Sequence, residues 1–572
     1  MSNRSPSLSS CPDWWRGAVI YQIYPRSFAD SDGDGVGDLK GILGRLDYVA
    51  SLGVDGIWLS PFFTSPMKDF GYDVSDYRGV DPLFGTLADF DAVLARAHQL
   101  GLKVIVDQVW SHTSNEHPWF IESAASRDSP KVDWYVWADA KADGSPPNNW
   151  QAVFGGPSWT WNARRRQYYL HNFLIEQPDL NYWNPAVQDA ILETGRFWLE
   201  RGVDGFRLDV INFIFHDQTL RDNPIAPHAS PPALPTRFQR HVHDRSRPEA
   251  LAFLGRLRSL LDSYGAMSVG EVVDDPPLPR QKEYVAGADR LHTAYSFYLL
   301  QASAATPELF AKALTSWGAA DGWPSWSLGN HDVPRFPTRL AHSGDPAQAR
   351  IILAALICLR GAIFLYQGDE LGLPQAQVPF DRLRDPFAIA AFDGGAGRDG
   401  ARTPMPWTAD GPGASFSTCA DTWLPIDPAH RALAVDVQEA DPASMLHFTR
   451  QLIALRRAHP ALRLGDATVL PAPPGVLAFT RSTADQTLLC VFELAGRAAT
   501  YEAPAGAEIA ARFGERDVLD GRSPRLQPFG GVVLRTRVAG WDGVLETMNN
   551  LGASGDVLDD RQDSPPRERE LF

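Results

Sequence analysis

Val19-Ile20-Tyr21-Gln22-Ile23-Tyr24, Gly56-Ile57-Trp58-Leu59 and Lys103-Val104-Ile105-Val106-Asp107 are three short apolar runs, and the residues between them decide the architecture. From Asp38 to Gly53, Leu39, Ile42, Leu46 and Val49 recur on one helical face, and Phe90, Val93, Leu94 and Ala97 do the same between about Ala88 and Gly101. Apolar positions three or four apart read as helix, and brief apolar runs bounded by Gly and Asp read as strands. Strand, helix, strand, helix, strand requires parallel pairing with right-handed crossovers.

Working outward, the alternation lapses from Ser111 to about Tyr182, where Trp, Pro, Asn and Gly accumulate without a long helical period. It resumes with a helix over about Pro185–Arg201, capped by Asn184 with Pro185 in the first turn. Strand Gly205–Val210 follows; a Pro- and His-rich excursion, about 216–248, then precedes helix Glu249–Tyr264 and strand Met267–Glu271. Further strands are predicted near Thr293–Phe297, Trp326–Leu328 and Ala362–Tyr366, with helices at about Glu308–Trp317, Ala347–Leu359 and Ser444–Arg457. Eight such units make an α/β fold, a (β/α)8 TIM barrel, with an inserted loop-rich domain after the third strand. A doubly wound sheet fits less well, because no Gly-rich phosphate turn follows the first strand. The barrel takes residues 14–112 and 183–458, and the insertion 113–182. Beyond Pro460 the pattern is all-β, giving a C-terminal antiparallel domain over 459–540, while 541–572 reads as a poorly ordered tail.

The 572 residues carry a formal charge of −16, which disfavours nucleic-acid binding through phosphates. Four scattered cysteines suit free thiols in a reducing compartment. Residues 1–12 have no apolar leader and no run reaches membrane-spanning length, so a cytoplasmic protein without a membrane partner is expected. The 18 Trp, 15 Tyr and 29 Phe include candidates for platforms under sugar rings, although most must be core.

Barrel enzymes place function at the C-terminal ends of the strands. Asp107, with His112 beyond it, ends the third strand; Arg207 and Asp209 end the fourth; Glu271 ends the fifth; His331 and Asp332 end the seventh. The two-residue spacing sets Arg207 and Asp209 on one side of their strand and Phe206 and Leu208 on the other. Any one of these carboxylates could belong to a structural ion pair, but four clusters at four strand ends point to a site. Converging carboxylates without redox or organic cofactors suit glycoside hydrolysis, one as nucleophile and one as acid.

The blocks Asp107–His112, Gly205–Val210, Gly270-Glu271 and Asn330-His331-Asp332 resemble, in order and spacing, the signature regions of the α-amylase family of glycoside hydrolases. Gln177–Asn181, Tyr366–Gly372 and Arg402–Trp407 resemble marks of its α-glucosidase and oligo-1,6-glucosidase branch. The resemblance implies a retaining mechanism with Asp209 as nucleophile, Glu271 as acid/base and Asp332 as the third carboxylate, holding sugar hydroxyls. It implies that Arg207 keeps Asp209 ionised, that His112 and His331 bind glucose hydroxyls, and that Tyr72 lies under the glucose. Asp73 and Arg402 would pair to close the pocket at the non-reducing end, making the enzyme exo-acting, with Arg398 the second choice for that arginine and Phe154 in the wall. Ser111 stands where the family has Asn, and Asp107 is expected to tie the insertion to the barrel.

Asp30-Ser31-Asp32-Gly33-Asp34-Gly35-Val36-Gly37-Asp38 places oxygen donors at loop positions 1, 3, 5, 7 and 9 with Gly at position 6, as an EF-hand loop begins. Position 12 is Gly41 instead of Glu, and the alternative is an acidic turn whose Asp38 caps the next helix. The branch implies a structural Ca²⁺ or Mg²⁺ held by Asp30, Asp32, Asp34, Val36 and Asp38. The expected activity is removal of terminal α-glucose from short α-glucosides (maltose, sucrose, maltooligosaccharides), with transglucosylation. Val210, after the nucleophile, keeps an oligo-1,6-glucosidase acting on isomaltose as the alternative, beside an α-glucosyltransferase. A sucrose isomerase fits less well, since Val333–Pro337 lacks the charged motif for fructose, and a non-catalytic scaffold conflicts with all three carboxylates being present. Monomer and homodimer both stay open.

Overall fold

The computed structural model of the chain describes residues 13–227, 235–318, 321–390, 397–514, 517–520 and 523–536. The expected tail, 541–572, lies outside these residues.

Eight parallel strands form the centre: β1 Val19–Ile23, β2 Gly56–Leu59, β3 Lys103–Gln108, β4 Gly205–Leu208, β5 Met267–Val272, β6 Thr293–Ser296, β7 Ser325–Ser327 and β8 Ala362–Tyr366. Their order is β6-β5-β4-β3-β2-β1-β8-β7, and a parallel bridge from Ala294 to Pro324 joins the two ends into a barrel. Chain order is thus spatial order, as successive right-handed crossovers require. Ile20, Trp58, Ile105, Val269, Tyr295 and Phe364 fill the interior, with Trp14 and Trp15 in the same core cluster. Their neighbours Val19, Tyr21, Ile57, Leu59, Val104 and Val106 belong to the larger core shared with the helices.

The helices are α1 Leu39–Ser51, α2 Leu87–Gln99, α3 Pro185–Glu200, α4 Ala250–Tyr264, α5 Pro277–Val285, α6 Pro307–Thr315, α7 Pro346–Cys358 and α8 Met445–Ala458. Their starts are chemically marked. Asn184 accepts the Ala186 N–H ahead of α3, and Thr86 and Asp89 form a reciprocal capping box on α2. Sequence periodicity did not anticipate α5, whose Pro277-Leu278-Pro279 start and charged middle leave it few apolar positions. The expected seventh strand begins one residue earlier than read and ends at Ser327, because Ser327 Oγ turns back onto the Gly329 carbonyl.

The insertion holds helix Pro118–Ala125 and a small antiparallel sheet of Trp137–Ala138, Gln167–Leu170 and Trp159–Asn162, in that order. The C-terminal domain begins with a short helix, Pro460–Leu464, where an all-β start was expected. Its main sheet is antiparallel, ordered Asp466–Leu470, Val476–Ser482, Thr487–Glu493, Gly531–Thr536 and Glu508–Arg512. Among the described residues no helix is long and apolar enough to cross a membrane.

Candidate active site

Barrel register brings the charged residues together. Asp107 pairs with Arg207 across β3 and β4, Val269 lies on the other side of Arg207, and Glu271 pairs with Tyr295 across β5 and β6. Phe206 and Leu208 join the outer core, so Arg207 points inward, as the alternation on β4 requires. Asp209 follows directly, its N–H held 3.0 Å from the Gln108 carbonyl.

Arg207 is the hub. Its Nη1 lies 2.5 Å from Asp209 Oδ1 and 2.9 Å from Asp107 Oδ1, and its Nη2 lies 2.7 Å from Glu271 Oε2. Nε and Nη2 also donate to the Tyr295 hydroxyl, at 3.1 and 2.7 Å. Three buried carboxylates on one guanidinium cannot all ionise freely. Burial, opposed by Arg207 and reinforced by Asp209 and Asp332, raises the Glu271 carboxyl to about 8. Burial, opposed by Arg207 and reinforced by Asp107, also raises Asp209, to about 7, so Glu271 holds the more tenacious proton of the two. Val210 stands between them in the left-handed region, with φ 34° and ψ 48°, and its N–H donates to Glu271 Oε2 at 3.2 Å. A β-branched residue in that conformation is strained, and here the strain turns the amide onto the acid group.

Asp332 faces this cluster from the end of β7, where Asn330 Oδ1 accepts its N–H at 2.8 Å. Burial would raise its carboxyl, but His331, Arg402, Arg398 and Arg207 hold it well below the usual carboxylate range. Burial pushes His331 itself down to about 3, so the imidazole is neutral near pH 7 and the arginines supply the stabilising charge. The Gln22 amide donates to His331 Nδ1 at 2.9 Å, leaving Nε2–H facing Asp332 Oδ2 at 3.1 Å and the Tyr72 hydroxyl at 2.5 Å. Tyr72 stacks on His331 with ring centroids 5.3 Å apart and planes within 3°. His112 donates Nε2–H to the Tyr72 carbonyl at 3.0 Å, and burial lowers it to about 4. The Ser111 hydroxyl donates to His112 Nδ1 at 2.9 Å, so Ser serves the imidazole directly.

These residues converge on one strand-end face of the barrel, with Tyr72 and His331 in contact with Asp107 and Asp332. Residues 22–465 match the alpha amylase catalytic domain family. The chain belongs to the alpha-amylase family. It is 51% identical over 504 residues to a probable alpha-glucosidase of Rhizobium meliloti (strain 1021), covering 86% of this chain and 91% of that one. It is 36% identical over 530 residues to an oligo-1,6-glucosidase of Parageobacillus thermoglucosidasius, covering 86% and 92%. The crystal structure of an alpha-glucosyl transfer enzyme, XgtA, superposes with a TM-score of 0.88 at 51% identity, covering 92% of this chain and 99% of that one.

Within this family frame the structure corrects the expected closing pair. Asp73 does not meet Arg402. It is fully buried and accepts from Ser65 Oγ, Lys68 N and Asp69 N at 2.9, 2.9 and 3.0 Å, which makes it the anchor of its own turn. Asp69 is the carboxylate that reaches the pocket, pairing with Arg398 Nη2 at 2.9 Å, and Gln177 Nε2 donates to its other oxygen at 3.2 Å. Arg398, not Arg402, is therefore the arginine that pairs with this carboxylate, and it also meets Asp332 at 3.3 Å. Arg402 lies deeper, with Nη2 2.7 Å from Asp332 Oδ1 and Nε 2.7 Å from the His331 carbonyl. Phe154 lies under Arg398 at 5.0 Å and beside Phe173 and Phe387.

Asp107 is also relocated. It does not tie the insertion to the barrel; besides Arg207 it accepts from Trp58 Nε1 and the Tyr72 hydroxyl, both at 3.2 Å and both from the barrel itself. Asp179 takes the joining role, pairing with His112 in an antiparallel bridge. Tyr295, Asp69 and Gln22 went unread as site residues because none stands next to a signature block in a way that marks its side-chain direction.

In the acidic loop, Asp30, Asp32 and Asp38 offer oxygens within 4.8 Å of one another. Asp38 meanwhile caps α1, accepting the Gly41 N–H at 2.7 Å, which bears out the capping reading of that residue. Asp34 stands outside the cluster and accepts the Val36 N–H at 2.7 Å. Gly41 leaves no room for the missing twelfth ligand, since a Cβ there would lie 2.0 Å from the Ala29 carbonyl oxygen. The donors are all hard oxygens, which fits Ca²⁺ or Mg²⁺ and no softer metal.

Proposed function

We propose that the chain is a retaining, exo-acting α-glucosidase that releases the terminal non-reducing glucose of short α-glucosides. The observation carrying this reading is the single guanidinium that holds Asp209 and Glu271 on adjacent nitrogens. Such crowding supports the short carboxyl separation of retaining enzymes, about 5–5.5 Å, over the wider spacing that admits a water. Glu271, kept protonated by burial, gives its proton to the glycosidic oxygen while Asp209 attacks the anomeric carbon. The bond to the aglycone breaks and a glucosyl ester forms on Asp209. Glu271, now ionised, takes a proton from water, whose oxygen displaces Asp209 and returns the original anomer. Asp332, held ionised by two arginines, binds sugar hydroxyls and favours the positive transition state. The Asp69–Arg398 pair closes the far end, which supports exo action.

A divalent cation, Ca²⁺ or Mg²⁺, would be held by Asp30, Asp32 and Asp38, with the Val36 carbonyl and Asp34 adjoining, and would brace the turn ahead of α1. No organic cofactor is needed by this chemistry, and a cytoplasmic location belongs to the same reading. Glucosyl transfer to an alcohol acceptor is the second reading, favoured by the likeness to the transfer enzyme at 51% identity. The test is hydrolysis of maltose, sucrose and isomaltose side by side, with Asp209→Asn as control and the anomer of released glucose followed by NMR. Release of α-glucose, lost in the control, is the expected result; release of β-glucose would overturn retention, and isomaltose cleavage alone would favour the oligo-1,6 alternative.

A further inference from the structure

Arg398 has more carboxylates than a pocket-closing residue needs. Its side chain is 11% exposed and meets Asp69 and Asp332, both of which face the pocket, and a third carboxylate, Asp385, which is 0% exposed. Asp385 takes the side of the guanidinium away from Asp332: its Oδ1 lies 3.1 Å from Nε and 2.8 Å from Nη2, while its Oδ2 accepts the Arg398 backbone N–H at 2.8 Å. Nη1, the nitrogen that meets Asp332, makes no contact with Asp385. The same carboxylate accepts the Phe387 N–H at 3.1 Å, and the Phe387 ring lies 6.0 Å from Phe154, which sits beneath Arg398. Asp399 answers from the other end, accepting the N–H groups of Arg384 and Asp385 at 2.7 and 3.0 Å. The stretches around 385 and 398 are thus tied to each other through two reciprocal carboxylates.

We propose that Asp385 is the positioning residue of the pocket's closed end, fixing the direction of Arg398 and, through Phe387, the aromatic wall beside it. This rests on the glucosidase reading. The physical need for it is plain. When a glucose enters, Asp69 and Asp332 must turn oxygens toward its hydroxyls, and a guanidinium held only by those two would follow them or swing away. An anchor that never faces the sugar keeps Arg398 in place whether the pocket is empty or filled. Binding made by such a pre-set group is present in ground state and transition state alike, so its loss falls on KM more than on kcat.

The experiment measures kcat, KM and the inhibition constant of glucose, with p-nitrophenyl α-glucoside as substrate, for the wild type, Asp385→Asn, Arg398→Ala and the double variant. In Asp385→Asn, KM and the glucose constant are expected to rise about tenfold or more with kcat changed less than about threefold, as loss of a charge-assisted anchor implies. The double variant is expected to be no worse than Arg398→Ala alone, because residues acting through one group are not additive. Multiplicative losses in the double variant, or a fall confined to kcat, would overturn the proposal. Asp385→Glu keeps the charge but lengthens the side chain: a KM closer to the wild type than that of Asp385→Asn supports the proposal, and wild-type KM in Asp385→Asn sinks it. Where the Asn variant does not fold, a raised KM in Asp385→Glu with little change in kcat supports the proposal and a fall confined to kcat sinks it. A wild type without glucosidase activity would instead overturn the reading of function.

Discussion

Arg207 carries three carboxylates and a phenol on one guanidinium, so a change at any of them redistributes protons among the rest. The pH profile follows from that sharing. In the proposed mechanism Glu271 acts as a protonated acid, and burial raises it to about 8, so kcat/KM is expected to fall as pH rises through about 8. Asp209 must be ionised, so activity also falls on the acid side as it takes up a proton, giving a bell whose limbs belong to the coupled pair. Glu271→Gln should lower kcat by about 10²–10⁴ and flatten the basic limb, which a pH series on both enzymes checks. Tyr295→Phe removes the hydroxyl that accepts from Arg207 Nε and leaves a buried donor unpaired. The expected cost is about 1–3 kcal/mol of stability, read from the urea midpoint at constant slope. At this scale the sequence spoke clearly where strand parity fixes direction, as for Arg207 and Asp209. It was ambiguous in Asp69-Phe70-Gly71-Tyr72-Asp73, where either carboxylate could face the pocket. Only the turn geometry, with three donors converging on Asp73, assigns that residue inward and frees Asp69.

Elements were legible in proportion to their period. The first three strands and two helices were readable because the strands are short apolar runs and the helices repeat apolar residues three or four apart, whereas α5 has its buried Leu278, Gln281, Tyr284 and Val285 masked by a polar member and two prolines. The sequence from Asp385 to Asp399 shows no period, and the reciprocal hydrogen bonds through these two carboxylates are displayed by no pattern. The acidic turn ahead of α1 is intermediate: its spacing announces both a cation loop and a cap at Asp38, but the lack of room for a side chain at Gly41 emerges only from packing. Bound cation should stabilise the folded chain by about 2.7 kcal/mol at a hundredfold excess over Kd. A chelator is therefore expected to lower Tm by a few degrees in the wild type, with Ca²⁺ or Mg²⁺ restoring it, and to leave Asp30→Asn unchanged. Equal response of the two proteins in differential scanning fluorimetry would remove the cation from the account.

The three parts of the molecule do not share boundaries of stability with boundaries of chain. Leu477, Phe479, Leu488, Cys490, Phe492 and Val533 of the C-terminal domain belong to the same continuous core as the barrel helices, while Val476, Ala478, Leu489, Val491, Val532 and Leu534 on the opposite face form a core of their own. One fully buried arginine stitches the seam and a second ties the barrel behind it. Arg481, on the C-terminal sheet, donates to the Cys358 carbonyl at the end of α7 at 2.7 Å and to the Gly465 carbonyl at 2.8 Å. Arg456, on α8, donates to the carbonyls of Gly17, Ile357, Leu359 and Gly361, tying the start of β1 to the turn before β8. Neither has a carboxylate partner among these contacts, so burial opposes their charge and the carbonyl dipoles, with the more distant Asp55 and Asp466, compensate in part. Arg481→Ala strands the Cys358 and Gly465 carbonyls and opens a cavity at the seam. The expected loss is about 2–4 kcal/mol, with KM for an α-glucoside unchanged because the seam lies outside the pocket. Calorimetry of the wild type is expected to give a single transition whose van't Hoff and calorimetric enthalpies agree, since a core shared across the seam leaves no unit to melt first. Two resolved transitions, or an Arg481→Ala protein that loses activity at full stability, would contradict a C-terminal domain built into the barrel's own core.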